Sequence, residues 1–427
     1  MQTDRKRKVY LTLLVAAITV GTATDALAQS TEEPSFAVQI GRADSLYSNI
    51  LQEWRNVWIQ MPNSAGFDEH QKYPVLYVLD GSVHTGTAGV LHEYYAPGKI
   101  PEMIIVGISN QTNRTRDLTP SEVTTRNGMN IAQSGGAQEF TAFIREELIP
   151  WVDNSHPTSR YRTLVGHSYA GLFAVNTFVH NRDLFDNYVV IDPSLDWDDQ
   201  KLLRAAKAQR QMVGEFDRKG LFVALSNEIP RFSETVTIDD VMQDTTVFSL
   251  SMRSILEFVD VAESWKSSGL KFSWKYYESD LHWSVPFPAL RDGLHFIFDW
   301  WELRSPSRYN IPETPTEDLV ELIRARSERL TRNLGYATAM EEPLLDMLGY
   351  MSLGNDQPDK ARAVFELAAE YYPESAEAQD SLAEFFAGQR DTAQAIIHAR
   401  KALELSGSNE RRQKLESLLG EQQEGKQ

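Results

Sequence analysis

Between Phe36 and Trp301 the chain sets short, almost unbroken apolar runs at intervals, and this spacing restricts the fold more than any other feature. The runs are Val75-Leu76-Tyr77-Val78-Leu79, Met103-Ile104-Ile105-Val106-Gly107, Thr163-Leu164-Val165, Tyr188-Val189-Val190-Ile191 and Leu221-Phe222-Val223-Ala224-Leu225. A strand with one wet face alternates apolar and polar residues, whereas a strand covered on both faces is apolar throughout, as in parallel sheets flanked by helices. The stretches Gln138–Trp151, Leu172–His180 and Ser251–Trp265 instead repeat apolar residues at three- and four-residue steps, the period of a helix. Strand and helix in alternation predict an α/β domain whose functional loops lie at the C-terminal strand ends.

After Trp301 the texture changes. Residues 305–317 hold three prolines and read as a linker, and beyond them Ala, Leu, Glu and Arg recur at helical spacing with no strand-like run. An offset of 34 residues relates Leu348 to Leu382, Ala361 to Ala395 and Ala368 to Ala402. Gly349, Phe365 and Pro373 fall where a tetratricopeptide repeat has its small residue, its packing aromatic and its terminal proline. In the second copy Ala399 and Gly407 replace the aromatic and the proline. Such units need neighbours for stability, so two readings stand: a helical brace for the first domain, or a groove for a protein partner.

The N-terminus carries Arg5-Lys6-Arg7-Lys8, an uncharged run from Val9 to Ala23, and Ala26-Leu27-Ala28 before Gln29. That order is the basic, apolar and small-residue pattern of a secretory signal, with cleavage expected after Ala28 and an exported, periplasmic or secreted product. The apolar run is shorter than the roughly 20 residues a membrane span needs, and no later stretch reaches that length. The chain has no cysteine, which excludes disulfides, a thiolate nucleophile and cysteine metal sites. A net charge of -18 disfavours nucleic acid and anionic membranes as partners.

The chemistry concentrates at Gly166-His167-Ser168-Tyr169-Ala170-Gly171, directly after one apolar run and directly before a helical stretch. This is the setting of a nucleophile elbow, a tight strand-to-helix turn that lifts a serine above the sheet edge. A serine hydroxyl needs a base, and in the α/β-hydrolase arrangement the histidine comes last in chain order. His282, beyond the alternating run Phe272–Tyr277, occupies that place, whereas His295 lies inside an amphipathic stretch. The carboxylate that orients the histidine is expected after an intermediate strand, and Glu228 is the first choice. Asp192, Asp196 and Asp198 are its competitors, and a Ser–His dyad remains open. The oxyanion would be held by the N–H of Tyr169 and by that of Gly81 or Ser82, after the run ending at Leu79.

Taken together, Tyr73–Gly81, Ile100–Ile108, Asn113–Pro120, Gly166–Tyr169 and His282-Trp283-Ser284-Val285-Pro286 resemble the putative esterase family. That family includes siderophore esterases, esterase D-like enzymes and mycolyl transferases, and the likeness is closest to the siderophore-esterase branch. The resemblance spans Phe36 to Trp301. It implies Ser168 and His282 as the catalytic pair, in a branch where the acid is poorly defined. Two departures are Ala170, where glycine is usual, and Trp283, where glycine commonly follows the histidine; Trp283 bears on the shape of the substrate pocket. Arg114 and Arg116 lie on the expected substrate side, as a clamp for an anionic substrate or as partners of loop acids such as Asp117.

The expected organisation is a signal at 1–28, an α/β-hydrolase domain at 29–304, a linker at 305–317 and a helical, tetratricopeptide-like region at 318–427. The expected function is hydrolysis of a small carboxylic ester, of siderophore-lactone or other type, through an acyl-enzyme, with no metal or cofactor. An acyltransferase of the same fold, and an interaction protein whose tail carries the function, are the alternatives.

Overall fold

The computed structural model describes residues 41–62, 71–126, 128–211 and 216–424. The secretory-signal reading falls on residues 1–28, outside the described residues. Among the described residues ten strands follow in chain order: β1 (Arg42–Ser48), β2 (Glu53–Gln60), β3 (Tyr73–Leu79), β4 (Ile104–Ile108), β5 (Thr125–Arg126), β6 (Met129–Asn130), β7 (Thr158–His167), β8 (Asn187–Ile191), β9 (Gly220–Ser226) and β10 (Lys271–Tyr277). All but β5 and β6, which form a small hairpin of their own, join one sheet in the order β1-β2-β4-β3-β7-β8-β9-β10. β1 pairs antiparallel with β2 and β2 with β4, and every other pairing in that sheet is parallel.

Every residue of β3, β4, β8 and β9 is buried, which is why these strands read as continuous apolar runs. They are covered by the helices α1 (Gly81–Tyr95), α2 (Arg114–Leu118), α3 (Ala137–Phe143), α4 (Ile149–Ser155), α5 (Tyr169–His180), α6 (Trp197–Ala208), α7 (Leu250–Trp265) and α8 (Pro286–Ile297). A π-helical turn, Ile144–Leu148, joins α3 to α4, so the predicted helix Gln138–Trp151 is continuous in direction but not in hydrogen-bond period. One apolar cluster lies on each face of the sheet: Phe140, Phe173, Phe178, Phe258 and Trp265 on one side, Leu91, Leu290, Leu294, Ile297 and Phe298 on the other.

Residues 305–317 are folded, contrary to the expected linker. They contain α9 (Ser307–Asn310) and the start of α10 (Thr316–Leu334). Tyr309 is buried with Leu319, Ile323 and Met340, and the Lys360 ammonium donates to the carbonyls of Ile311 and Pro312. Prolines remove backbone donors, but here the carbonyls they leave exposed are taken up by a lysine from a later helix. The boundary at 318 also does not separate the two parts. Leu330 and Leu334 of α10 are buried in the cluster that holds Tyr161, Trp300 and Trp301, and Arg326 donates to the Trp301 carbonyl at 2.7 Å. Tyr161 lies early in β7, so α10 docks at the end of the sheet where the parallel strands begin.

The helix-rich C-terminal region continues with α11 (Glu342–Gly354), α12 (Pro358–Tyr371), α13 (Ala376–Gly388), α14 (Thr392–Ser406) and α15 (Asn409–Glu424). The 34-residue offset appears as contacts between equivalent positions. Tyr350 bonds to Glu384, Arg411 to Glu377 and Lys414 to Asp380, each pair 34 residues apart. These contacts join α11 to α13 and α13 to α15. A side chain at Gly349 would meet the Phe365 ring, because its Cβ would lie 2.3 Å from Phe365 Cε1, which explains the small residue at that position.

Candidate active site

Three adjacent parallel strands, β3, β7 and β8, are each followed at once by a non-glycine residue of positive φ: Asp80 at 50°, Ser168 at 62° and Asp192 at 44°. Such conformations cost on the order of 1–3 kcal/mol each and concentrate where function over-determines the backbone. At the elbow, Ser168 N–H donates to the Ile191 carbonyl at 3.0 Å, and the Ser168 carbonyl accepts from Leu172 and Ser194. The turn is tight enough that a Cβ on Gly166 would lie 2.1 Å from the Ala170 carbonyl oxygen. Ala170 itself is fully buried.

His282 lies in the loop after β10, and its Nδ1 is 2.5 Å from Asp192 Oδ2. Asp192 also accepts from the Ser226 hydroxyl at 2.7 Å and from the Ser226 backbone N–H at 3.0 Å. Burial alone would raise the Asp192 carboxyl, but the hydrogen bonds from His282 and Ser226 and the attraction of His282 outweigh it, leaving its pKa below the usual carboxylate value. Glu228, the first choice from sequence for this contact, does not reach the imidazole. Its Oε1 accepts from the backbone N–H of His282 at 2.7 Å and its Oε2 from Arg231 at 3.0 Å. The geometric reason is register: β8 lies next to β7, with Ile191 opposite His167, so Asp192 follows its strand directly beside Ser168. Asp196 is tied to Arg126 and Asp198 to Lys201, so neither competes.

Tyr169 and Gly81 are the first residues of α5 and α1, and Ser82 is the second of α1. N–H groups in the first turn of a helix have no partner within the helix, which leaves them free to point at an anion. Gly81 is more than a turn glycine: a Cβ there would lie 2.7 Å from backbone atoms of both Gly107 and Ile108.

The two arginines part company. Arg114 stays at the site, donating from Nε and Nη2 to the Asp80 carboxylate at 2.8–3.0 Å, with its guanidinium 5.2 Å from the Tyr169 ring. Arg116 turns away to Glu53 and Asp117 and is not brought to the site. In its place Arg126, from the β5–β6 hairpin, lies over Tyr169 and Trp197 while paired with Asp196. Trp283 is 80% exposed, with its ring 5.2 Å from that of His282 and 6.2 Å from that of His167.

His167, His84 and Arg126 were not singled out by sequence reasoning. The His167 ring lies 4.5 Å from that of His282 and 5.5 Å from that of His84. Burial, then repulsion from His282 and His84, lowers the His167 pKa to about 3, and burial also lowers that of His84. Both are therefore neutral neighbours of His282 at physiological pH.

Residues 48–228 match the model of the putative esterase family. The chain is 30% identical over 150 residues to the ferri-bacillibactin esterase BesA of Bacillus subtilis, covering 31% of this chain and 51% of that protein. It is 28% identical over 151 residues to an apo-salmochelin esterase of Escherichia coli, covering 33% and 46%. The chain thus spans about half the length of the curated relatives it matches. The crystal structure of an IroE-like serine hydrolase from Shewanella oneidensis superposes with a TM-score of 0.61 at 26% identity, over 77% of this chain and 99% of that one. The mixed α/β sheet with flanking helices is therefore a fold this chain shares with that hydrolase, and a helix-rich C-terminal region follows it.

Proposed function

We propose that the protein is a serine esterase in which Ser168 is the nucleophile, His282 its base and Asp192 the carboxylate that orients the base. The observation that carries this reading is the 2.5 Å contact between His282 Nδ1 and Asp192, one strand away from a serine in a strained elbow. Asp192 accepting at Nδ1 selects the tautomer whose Nε2 is free to take a proton, as a triad requires. Ser168 Oγ attacks the ester carbonyl as its proton passes to His282, and the N–H groups of Tyr169 and of Gly81 or Ser82 receive the oxyanion. Collapse of the tetrahedral intermediate releases the alcohol, protonated by His282. Water, activated by the same histidine, then cleaves the acyl-enzyme.

The relatives named for ferri-bacillibactin and apo-salmochelin favour a siderophore-type lactone as substrate over a simple ester. Exposed Trp283 beside His282 supplies an aromatic surface for such a ligand. The 34-residue register of α11, α13 and α15 supports the tetratricopeptide-like reading of the tail, and the sequence of residues 1–28 supports export. The test is turnover of a tricatechol trilactone and of a neutral aryl ester by the wild type and by Ser168→Ala. Loss of both activities in the variant supports the reading, and retention of either refutes it.

A further inference from the structure

The loop after β9 grips the loop that carries His282 at several points. Asn227 N–H donates to the Asp280 carbonyl at 2.7 Å, Asn227 Nδ2 donates to the Glu278 carbonyl at 2.9 Å, and Glu228 Oε1 accepts from His282 N–H at 2.7 Å. On the other side, the buried His167 ring packs against the His282 ring. With Asp192 holding Nδ1, the base is fixed at its ring and along its main chain. β9 and β10 run parallel with Tyr277 opposite Ser226, so the two loops leave the sheet side by side.

We infer that Glu228 is a positioning residue for His282, acting through the backbone N–H of the base rather than as the charge that polarises its imidazole. This rests on the assignment of Ser168, His282 and Asp192 above. A carboxylate at the β9 end, where a triad acid would be expected from chain order, has here become a clamp on the histidine loop. The triad contact is made instead from the end of β8. The distinction is chemical. A clamp needs only an oxygen acceptor at Oε1, and an amide supplies one. A triad acid needs the negative charge and the acceptor at Nδ1, and an amide supplies neither reliably. Arg231, 3.0 Å from Oε2, keeps the second oxygen turned outward and leaves Oε1 to face the loop. Ser226 marks the division of labour, since both its N–H and its hydroxyl go to Asp192 while Asn227 and Glu228 bond to the main chain of the loop that carries His282.

The test compares Glu228→Gln, Glu228→Ala and Asp192→Asn on a neutral aryl ester, with Ser168→Ala as the control for the underlying assignment. Glu228→Gln is expected to keep kcat within about fivefold of wild type, because the amide oxygen can replace the carboxylate as acceptor. Glu228→Ala is expected to lower kcat by about ten- to a hundredfold with KM little changed, since a misplaced base harms the chemical step rather than binding. The acidic limb of its pH–kcat profile should stay where it is in the wild type, because Asp192 still faces Nδ1. A Glu228→Gln loss as large as that of Asp192→Asn, with a shifted acidic limb, would overturn the inference and give Glu228 an electrostatic role. Wild-type kcat in Glu228→Ala would overturn it as well, by showing that the clamp is not needed. Turnover surviving in Ser168→Ala would instead refute the assignment on which the inference rests.

Discussion

Asp192→Asn replaces the carboxylate that faces His282 by a group of the same shape. In the wild type, Oδ1 accepts the Ser226 backbone N–H, and Oδ2 accepts both the Ser226 hydroxyl and His282 Nδ1. The backbone N–H can only donate, so it keeps the Asn oxygen at the Oδ1 position and turns the amide nitrogen towards His282. An amide N–H there donates to Nδ1, which moves the imidazole proton to Nε2, the atom that must accept the proton of Ser168. The base is then in the wrong tautomer, a fault that costs about 10⁴-fold in turnover in a serine triad, or about 5.4 kcal/mol. The Ser226 hydroxyl can rotate to accept from the amide, so the fold should survive with a Tm within a few degrees of wild type. The assay is kcat/KM on a neutral aryl ester, with thermal unfolding as the control. A well-folded Asp192→Asn enzyme within tenfold of wild type would refute the reasoning.

Two further outcomes follow from burial. The His92 imidazole is held to about pKa 4 by burial, with Nε2 accepting the Met103 N–H, and that of His167 to about 3. Unfolded histidines bind protons near 6.5, so the stability these neutral rings support is complete above that pH and is lost as the pH falls towards 4 and 3. The depressed carboxyl of Asp192 acts in the same direction at still lower pH. For His92 the limit is about 3 kcal/mol, so urea midpoints should fall steadily between pH 6.5 and 4; a flat midpoint over that range would contradict it. A chain ending at Glu302 would bare Trp300 and Trp301 by removing Leu330 and Leu334, at roughly 2 kcal/mol for each leucine. Its Tm should drop by at least about 5 °C, while the activity of each folded molecule persists because α10 docks at the end of the sheet away from Ser168. An unchanged Tm would show that α10 does not brace the sheet.

The sheet interior was legible because strands covered on both faces have no polar positions. β1 and β2 were not, since β1 at the sheet edge exposes most of its residues and carries no apolar run to read. Ser168 and His282 were legible from a local turn motif and from chain order. The acid was not, because Asp192 and Glu228 each follow a strand and only the lateral order of β7, β8 and β9 decides which one meets the imidazole. Arg114 and Arg116 looked equivalent in sequence, yet two residues apart on a helix they face different ways, one to Asp80 at the elbow and one to Glu53. In the 305–317 segment, prolines outweighed Tyr309, whose burial against α10 is a tertiary effect with no local pattern.

The central claim, that Ser168 is the covalent nucleophile, is tested most directly by reacting the protein with a fluorophosphonate and locating the adduct by peptide mass spectrometry. One adduct is expected, on the peptide containing Ser168, absent in Ser168→Ala and formed far more slowly in Asp192→Asn. An adduct on another residue, or undiminished labelling of Ser168→Ala, would contradict it.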